Sequence, residues 1–435
     1  MDQNTSCPQW FTEGYRHIWM PYTQMQTSPL PQPVKSTMGS RISLENGREL
    51  IDGISSWWSA CHGYNHPHIM KAIHKQLDLM PHVMMAGLSN QPAFTLAKRL
   101  ADMTPGDLNR VFLSESGSVS VEIALKMAVQ YWINLGISGR DKFVSFRDGY
   151  HGDTIGTMSI GDPDNVLHGP FKGLMAEQYV RDLPRTDQDR RAFSDFLERH
   201  KNKCAAVIIE PLVQGAGGMI FHDIETLRFL RSACDAHGVL LIFDEIMVGL
   251  GRLGSKFACS QADVVPDIMT LSKSLTGGTM PLAATIATDR IFSKFLSDEL
   301  TDCLMHGPTF TGHALASAAA NASLDLFEQE PRMEQVAEVE AHLKSSLAAC
   351  SDIPGVVDVR TRGALGVVEL PDLGDMYWIR QRFVEENCWV RPFGNTVYLM
   401  PSFTINEEDL THLTNSVVKI VGEWSDRYHS GAGLE

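Results

Sequence analysis

The sequence predicts an α/β protein: a large domain built on a mostly parallel, helix-covered sheet, with a smaller α+β domain drawn from both chain ends. Three observations lead there. Short apolar runs at 110–114, 142–146, 205–209, 239–243, 268–271 and 282–287 recur between about residues 65 and 325. They alternate with helical patterns such as 225–237, which Gly238 closes, and that alternation is the mark of parallel strands joined by helices. The flanking segments have a different texture. Residues 1–60 are rich in proline and turns, while 329–435 carries amphipathic helical patterns at 333–349 and 407–423, with strand-like runs at 364–370 and 396–400. The expected division is therefore 1–60 and 329–435 for the small domain and 61–328 for the large one.

Composition agrees with a large, freely folding enzyme. The chain has 435 residues, 43% of them hydrophobic, enough to bury a sizeable core without staples. The net charge of −15 is spread along the sequence and no basic stripe exists, so nucleic acid is not an expected partner. The first 25 residues mix Asp2, Glu13 and Arg16 with prolines and read as neither a signal nor a transit peptide; no apolar run approaches membrane-spanning length. A cytoplasmic protein is expected. The eight cysteines are scattered without a Cys-x-x-Cys pair and read as reduced and packed. Cys61 and His62 beside His66 and His68 share their run with Gly63, Tyr64 and Pro67, which reads as a shaped loop; no metal is assigned.

The chemistry is concentrated where predicted strands end. The run 239–243 ends in Asp244-Glu245, and the run 268–271 ends in Ser272-Lys273. In an α/β sheet the carboxyl ends of strands form the ligand crevice, so an acid and an amine delivered there can grip one small molecule. Pyridoxal 5'-phosphate wants that pair: its aldehyde condenses with a lysine, its ring nitrogen needs a carboxylate to stay protonated, and its phosphate needs backbone N–H groups. Ser116-Gly117-Ser118 is the candidate cradle, since it follows the run 110–114 and opens a helical pattern through Val121, Leu125, Ala128, Trp132 and Leu135. Taken alone the tripeptide is more often an ordinary turn with an N-cap. It has neither a Walker ending nor dinucleotide spacing, so nucleotide readings fall behind.

Other residues carry a functional and a plain reading side by side. Tyr150-His151-Gly152-Asp153 follows the run 142–146 and puts an aromatic ring at another strand end, where it can stack on a pyridine; alone, it is a loop tyrosine beside a polar turn. Thr309 is a turn hydroxyl that can reach a phosphate, or a helix-start residue. Trp57 and Trp58 are adjacent and cannot both be core on one face of a regular element. Arg391, between Val390 and Pro392, is more often a surface ion-pair partner, yet a guanidinium beside proline suits bidentate carboxylate binding.

Together these motifs resemble the fold-type I pyridoxal phosphate aminotransferases of subgroup III, the omega-aminotransferase kind. The resemblance runs from Arg16-His17-Ile18-Trp19 to beyond Arg391-Pro392-Phe393-Gly394. It rests on Asp52-Gly53-Ile54-Ser55-Ser56-Trp57-Trp58, His62-Gly63-Tyr64-Asn65-His66-Pro67, Tyr150-His151-Gly152-Asp153-Thr154, Leu271-Ser272-Lys273-Ser274-Leu275-Thr276-Gly277-Gly278 and His306-Gly307-Pro308-Thr309-Phe310. It implies that Lys273 holds the cofactor and shuttles a proton, that Asp244 keeps the pyridine nitrogen protonated, that Tyr150 stacks on the ring, and that Gly117 and Ser118 hold the phosphate. It also implies a homodimer with shared active sites, in which Pro308 and Thr309 reach the neighbour's cofactor. Tyr22, Trp57, Trp58, Arg252 and Gly307 would contact substrate, and Arg391 would bind the acceptor's carboxylate.

Within the family, the paired tryptophans and the Arg-Pro-Phe-Gly segment resemble the members that act in biotin synthesis. The activity so implied is a two-stage, ping-pong transfer of an amino group from S-adenosylmethionine to 8-amino-7-oxononanoate, giving 7,8-diaminononanoate. Two departures bear on the donor. Many subgroup III enzymes carry Gln where this chain has Met247, and Thr-Gly-x-Gly-Arg-Thr-Gly appears here as Val248-Gly249-Leu250-Gly251-Arg252-Leu253-Gly254. Lysine as donor, another omega-aminotransferase, or a different pyridoxal phosphate enzyme such as a racemase or decarboxylase therefore stay open. A cofactor-sensing regulator would need an appended nucleic-acid-binding domain, for which there is no spare length or basic helix.

Overall fold

A computed structural model describes residues 7–164 and 167–429. By its contacts the chain divides into two compact units, one running from Pro67 to Met333 and the other made of the described residues up to His66 and from Glu334 onward.

The Pro67–Met333 unit is built on a seven-stranded sheet in the order Leu108–Ser114, Ala283–Thr288, Ile268–Leu271, Leu240–Asp244, Cys204–Ile209, Lys142–Phe146, Tyr179–Arg181. Every contact from Ile268–Leu271 through Tyr179–Arg181 is parallel, and Ala283–Thr288 runs antiparallel to both its neighbours. The central strands are buried at every position, which explains their unbroken apolar runs: helices cover both faces, so no alternation is needed. One cover is Gly117–Asn134, whose Val121, Ile123, Ala124 and Ala128 pack onto Ile208, Leu240, Ile242 and Ile268. The helix Ile224–His237 starts on an Asp223 cap bonded to Thr226 N at 2.7 Å and stops at Gly238 with φ of 60°, where glycine adopts the left-handed turn without a Cβ penalty. Tyr179–Arg181 is the strand that periodicity did not reveal; it is a three-residue edge with mixed burial.

In the other unit, Val34–Met38, Arg41–Leu44 and Glu49–Asp52 form an antiparallel meander. The turn-rich reading of residues 1–60 overlooked these strands, because Val34–Met38 is mostly exposed and shows no apolar run. Cys388–Trp389 then adds in parallel to Glu49–Asp52, pairing Trp389 with Asp52, and so ties the two chain ends into one sheet. A second antiparallel sheet joins Asp358–Arg362, Leu365–Glu369 and Thr396–Leu399. The helices Arg332–Leu347, Met376–Glu385 and Glu407–His429 lie in the C-terminal third. Among the described residues no helix is long and apolar enough to cross a membrane, and no group of three or more His, Cys, Asp or Glu is placed to hold a metal ion.

Candidate active site

Sheet register brings the acid and the amine together. Asp244, the last residue of its strand, pairs with Thr270, three residues before Lys273. The Thr270 hydroxyl donates to Asp244 Oδ1 at 3.3 Å, and Ile246 N donates to the same oxygen at 3.1 Å. The other oxygen, Oδ2, lies 2.8 Å from His151 Nδ1 inside the protein, where both side chains are almost wholly buried. Burial opposes charging of His151, yet the bond and charge of Asp244, with the charge of Glu210, hold the imidazole pKa above its usual value. Lys273 is enclosed by protein, and loss of hydration lowers its pKa against the pull of Asp244 and Glu210, which raises the share of neutral, nucleophilic amine. Its φ of 34° marks a strained position of the kind found at functional sites.

The helix N-terminus converges on the same strand ends. Gly117–Asn134 opens immediately after Leu108–Ser114, with the Ser116 hydroxyl accepting Val119 N at 3.3 Å. A Cβ on Gly117 would sit 3.1 Å from Ile246 and 3.6 Å from Ser272, the neighbours in sequence of the Asp244 and Lys273 segments. Ser118 Oγ accepts the N–H of Asp153 at 3.2 Å, and at Gly152, with φ of 128°, a Cβ would come within 2.2 Å of that oxygen. Helix start and 150–153 loop are thus closed on one another. The first-turn N–H groups and the positive end of an 18-residue helix suit a phosphate dianion. An aldehyde for Lys273, a basic ring nitrogen for Asp244 and a phosphate for Gly117 and Ser118 are what this donor set accommodates, so the residues present fit pyridoxal phosphate.

Other predicted residues of this unit are placed as follows. Tyr150 is half-buried; its N–H donates to Glu210 Oε2 at 3.0 Å and its ring is stacked on His168 at 5.8 Å. Arg252 is fully buried. Gly307 and Thr309 are exposed and Pro308 half-buried in a loop that the Thr311 hydroxyl anchors to Leu113 O at 2.6 Å, beside the exposed side chains of Met305 and Phe310.

In the unit of the two chain ends, Tyr22, Trp57 and Arg391 come together. Tyr22 meets Trp57 edge-on at 6.1 Å, and the Arg391 guanidinium lies over the Trp57 ring at 5.1 Å. Trp58 instead is buried, its indole N–H donating to Tyr398 OH at 3.1 Å. The two tryptophans are presented by an unusual turn: Ser55, Ser56, Trp57 and Trp58 all have positive φ, between 49° and 77°. Left-handed backbone costs a residue with a Cβ about 1–2 kcal/mol, and runs of it are avoided. Asp52, buried, supplies the counterweight by accepting Ile54 N at 2.8 Å, Ser56 N at 2.7 Å and Tyr64 OH at 2.6 Å.

Sequence reading gave no role to His151, Glu210 or Asp52. Glu210 follows the apolar run 205–209 just as Asp244 follows 239–243, so the same strand-end rule would have found it. It is buried, accepts Tyr150 N and Gly215 N, and burial beside Asp244 pushes its pKa up to about 7 even though His151 and these bonds oppose the shift. His151 stood next to Tyr150 in view, but only the fold reveals its partner, 93 residues away.

Comparison with known proteins agrees with this geometry. The class-III aminotransferase family model matches residues 22–421. An adenosylmethionine-8-amino-7-oxononanoate aminotransferase from Buchnera aphidicola subsp. Acyrthosiphon pisum is 42% identical over 410 residues, 93% of this chain and 95% of the relative. One of the same name from Mycobacterium leprae is 41% identical over 416 residues, covering 93% and 95%. Among solved structures, the adenosylmethionine-8-amino-7-oxononanoate aminotransferase from Methanocaldococcus jannaschii matches with a TM-score of 0.90 and 34% identity over 95% of this chain and 98% of that one. An amine transaminase from an uncultivated Pseudomonas species, solved in a PLP-bound form, matches with a TM-score of 0.85 and 32% identity over 93% and 98%. This chain belongs to the class-III aminotransferases, transaminases that depend on pyridoxal 5'-phosphate.

Proposed function

We propose that this aminotransferase moves an amino group from S-adenosylmethionine to 8-amino-7-oxononanoate, giving 7,8-diaminononanoate for biotin synthesis in the cytoplasm. The names of its relatives support that substrate pair. The observation that carries it is the Tyr22, Trp57 and Arg391 cluster: an aromatic wall beside a guanidinium suits an acceptor that is an apolar chain ending in a carboxylate. Trp58 backs this wall from the core, Arg252 and Gly307 serve the substrate side, and Arg391 pairs with the carboxylate.

When bound, pyridoxal phosphate supplies an electron-withdrawing ring that stabilises negative charge on the substrate carbon. Gly117 and Ser118 bind its phosphate through the helix start. Asp244 keeps a proton at the ring nitrogen, and His151 fixes the orientation of Asp244 through its bond to Oδ2. Tyr150 stacks against the ring, held in place by the bond of its N–H to buried Glu210. Lys273 uses its neutral amine to take the proton from the donor carbon in the first half-reaction, and returns one to the acceptor carbon in the second. We propose a homodimer in which Pro308 and Thr309 complete the neighbour's cofactor site; the exposure of Thr309 and Phe310 on an anchored loop supports it.

Mixing the purified holoenzyme with each donor separately, in a stopped-flow spectrometer, tests the assignment. S-adenosylmethionine is expected to discharge the visible cofactor absorption rapidly, and added 8-amino-7-oxononanoate to restore it. Discharge by lysine and none by S-adenosylmethionine would replace the donor; failure of the acceptor to restore the absorption would remove the acceptor.

A further inference from the structure

Four consecutive residues with side chains in left-handed backbone are a costly way to make a turn that glycine would make freely. Strain of this kind persists only where the surroundings over-determine it. Here the surroundings can be named. The Ser55 hydroxyl donates to Met400 O at 2.8 Å, and the Trp58 indole is pinned to Tyr398 OH. On the other side both carboxylate oxygens of Asp52 are engaged, Oδ1 by Ile54 N and Oδ2 by Ser56 N and Tyr64 OH. Asp52 is itself fixed in the sheet, its N–H donating to Ser40 O at 2.8 Å, while Tyr64 is clamped by paired backbone bonds with Gly39. Asp52, Ser55, Trp58, Tyr64 and Tyr398 are buried or half-buried, and the large side chain that the turn delivers outward is Trp57, 40% exposed, with Tyr22 on its edge and Arg391 over its face. A regular helical turn through the same residues would aim the two indoles differently, since their directions follow from φ and ψ.

We infer that Asp52 is a positioning residue for acceptor specificity: bracing the left-handed turn Ser55 to Trp58 with Tyr64, it fixes the Trp57 ring beside Arg391. The inference rests on the reading of Trp57 and Arg391 as the acceptor's binding wall. It assigns Asp52 no contact with substrate or cofactor. Its influence passes through the backbone N–H of Ser56, one residue before Trp57.

The test uses the holoenzyme carrying 5-fluorotryptophan, with the Trp57 fluorine resonance assigned by Trp57→Phe. In Asp52→Asn the Trp57 resonance is expected to move, the acceptor KM to rise about tenfold, the scale of one displaced apolar contact, and the rate of the donor half-reaction to stay as in the wild type. Adding Ser56→Gly, which removes the steric cost that Asp52 offsets, is expected to bring both the resonance and the acceptor KM back toward wild type; a loss of general stability would not be rescued that way. Tyr64→Phe, which leaves both backbone bonds to Asp52 in place, is expected to show the same pattern in weaker form and serves if Asp52→Asn does not fold. An unmoved Trp57 resonance, a moved resonance with unchanged acceptor KM, or equal losses in both half-reactions would each overturn the inference. Failure of the underlying reading is separately visible: Trp57→Ala and Arg391→Ala would then leave the acceptor KM untouched, however the resonance behaves.

Discussion

Replacing Arg391 with alanine separates the proposed binding role from a folding role, whose size follows from its contacts with Trp57 and Arg380. The guanidinium lies 5.1 Å from the Trp57 ring centre, and at a partly exposed site such a contact contributes about 0.5–1 kcal/mol. Against that loss stands a relief. Arg380, whose Nη2 donates to Pro392 O at 3.1 Å, has its pKa lowered to about 10, first by burial and then by the charge of Arg391. Solvent screens this repulsion between half-buried groups, so its removal returns less than about 1 kcal/mol. The two changes nearly cancel, and the melting temperature of Arg391→Ala is expected to stay within about 2–4 °C of the wild type. The acceptor, in contrast, loses a charge-assisted carboxylate pair contributing about 1.5–3 kcal/mol, a roughly 10- to 150-fold weakening. Single-turnover measurements from each side of the reaction read this directly: the concentration dependence on 8-amino-7-oxononanoate shifts by that factor, and the dependence on the donor shifts far less. Equal losses on both sides, or a fall in melting temperature of about 10 °C or more, would show that Arg391 supports the cofactor or the fold and would refute the reasoning.

Two further outcomes follow from the large unit. Glu245 is buried, accepts Ala258 N at 2.8 Å and Cys259 N at 2.7 Å, and burial pushes its pKa up to about 7 from 4.5. The folded state therefore holds this proton through a window where the unfolded state has lost it, so the contribution of Glu245 falls as pH rises from about 4.5 to 7. Glu245→Gln removes that slope: relative to wild type, the variant should gain roughly 3 kcal/mol between pH 5 and pH 8 in denaturant unfolding, and a constant difference across that range would contradict the burial argument. For the proposed shared-site dimer, mixtures of Lys273→Ala and Thr309→Ala, each expected to be inactive, should recover activity as hybrids form one intact site; proven subunit exchange without recovery would remove the proposed cross-subunit role of Thr309.

What could be read from the sequence, and what could not, follows from burial. Each of the six apolar runs is a strand of the large sheet, and the central ones were visible because their strands are buried at every position, whereas Leu108–Ser114 is buried only at its ends. Tyr179–Arg181 and Asp358–Arg362 escaped because neither has a buried residue to mark it. The strand-end rule picked out Asp244 and Lys273 because both follow such runs. The same rule points to Glu210, which directly follows the run 205–209. Pairings across long sequence gaps are of another kind: nothing in Tyr150-His151-Gly152 announces that the imidazole meets a carboxylate 93 positions on. The left-handed turn was also unreadable, since Ser-Ser-Trp-Trp carries no glycine and its conformation is imposed by Asp52, Tyr64 and Met400 from outside the segment.

The departures at Met247 and Leu253 can be weighed against this geometry. Both side chains are buried, Met247 at 4% exposure and Leu253 at 2%. A Cβ on Gly215 would fall 2.4 Å from Met247 Sδ and 3.5 Å from Glu210 Oε1, so the thioether occupies the space that the missing Gly215 side chain leaves, on the wall beside Glu210. Leu253 contributes through its backbone instead, its carbonyl accepting the Gln261 amide at 2.7 Å. Neither departure removes a partner of Asp244, whose oxygens are met by His151, Ile246 N and Thr270. The Asp244 carboxylate therefore keeps a partner on each oxygen with methionine at position 247. The Met247 thioether adds an apolar group to this buried wall, and burial dominates the upward pKa shift of Glu210. Met247 packs against Gly215, whose N–H Glu210 accepts together with that of Tyr150, and none of Met247, Gly215 and Glu210 is among the residues that bond Asp244.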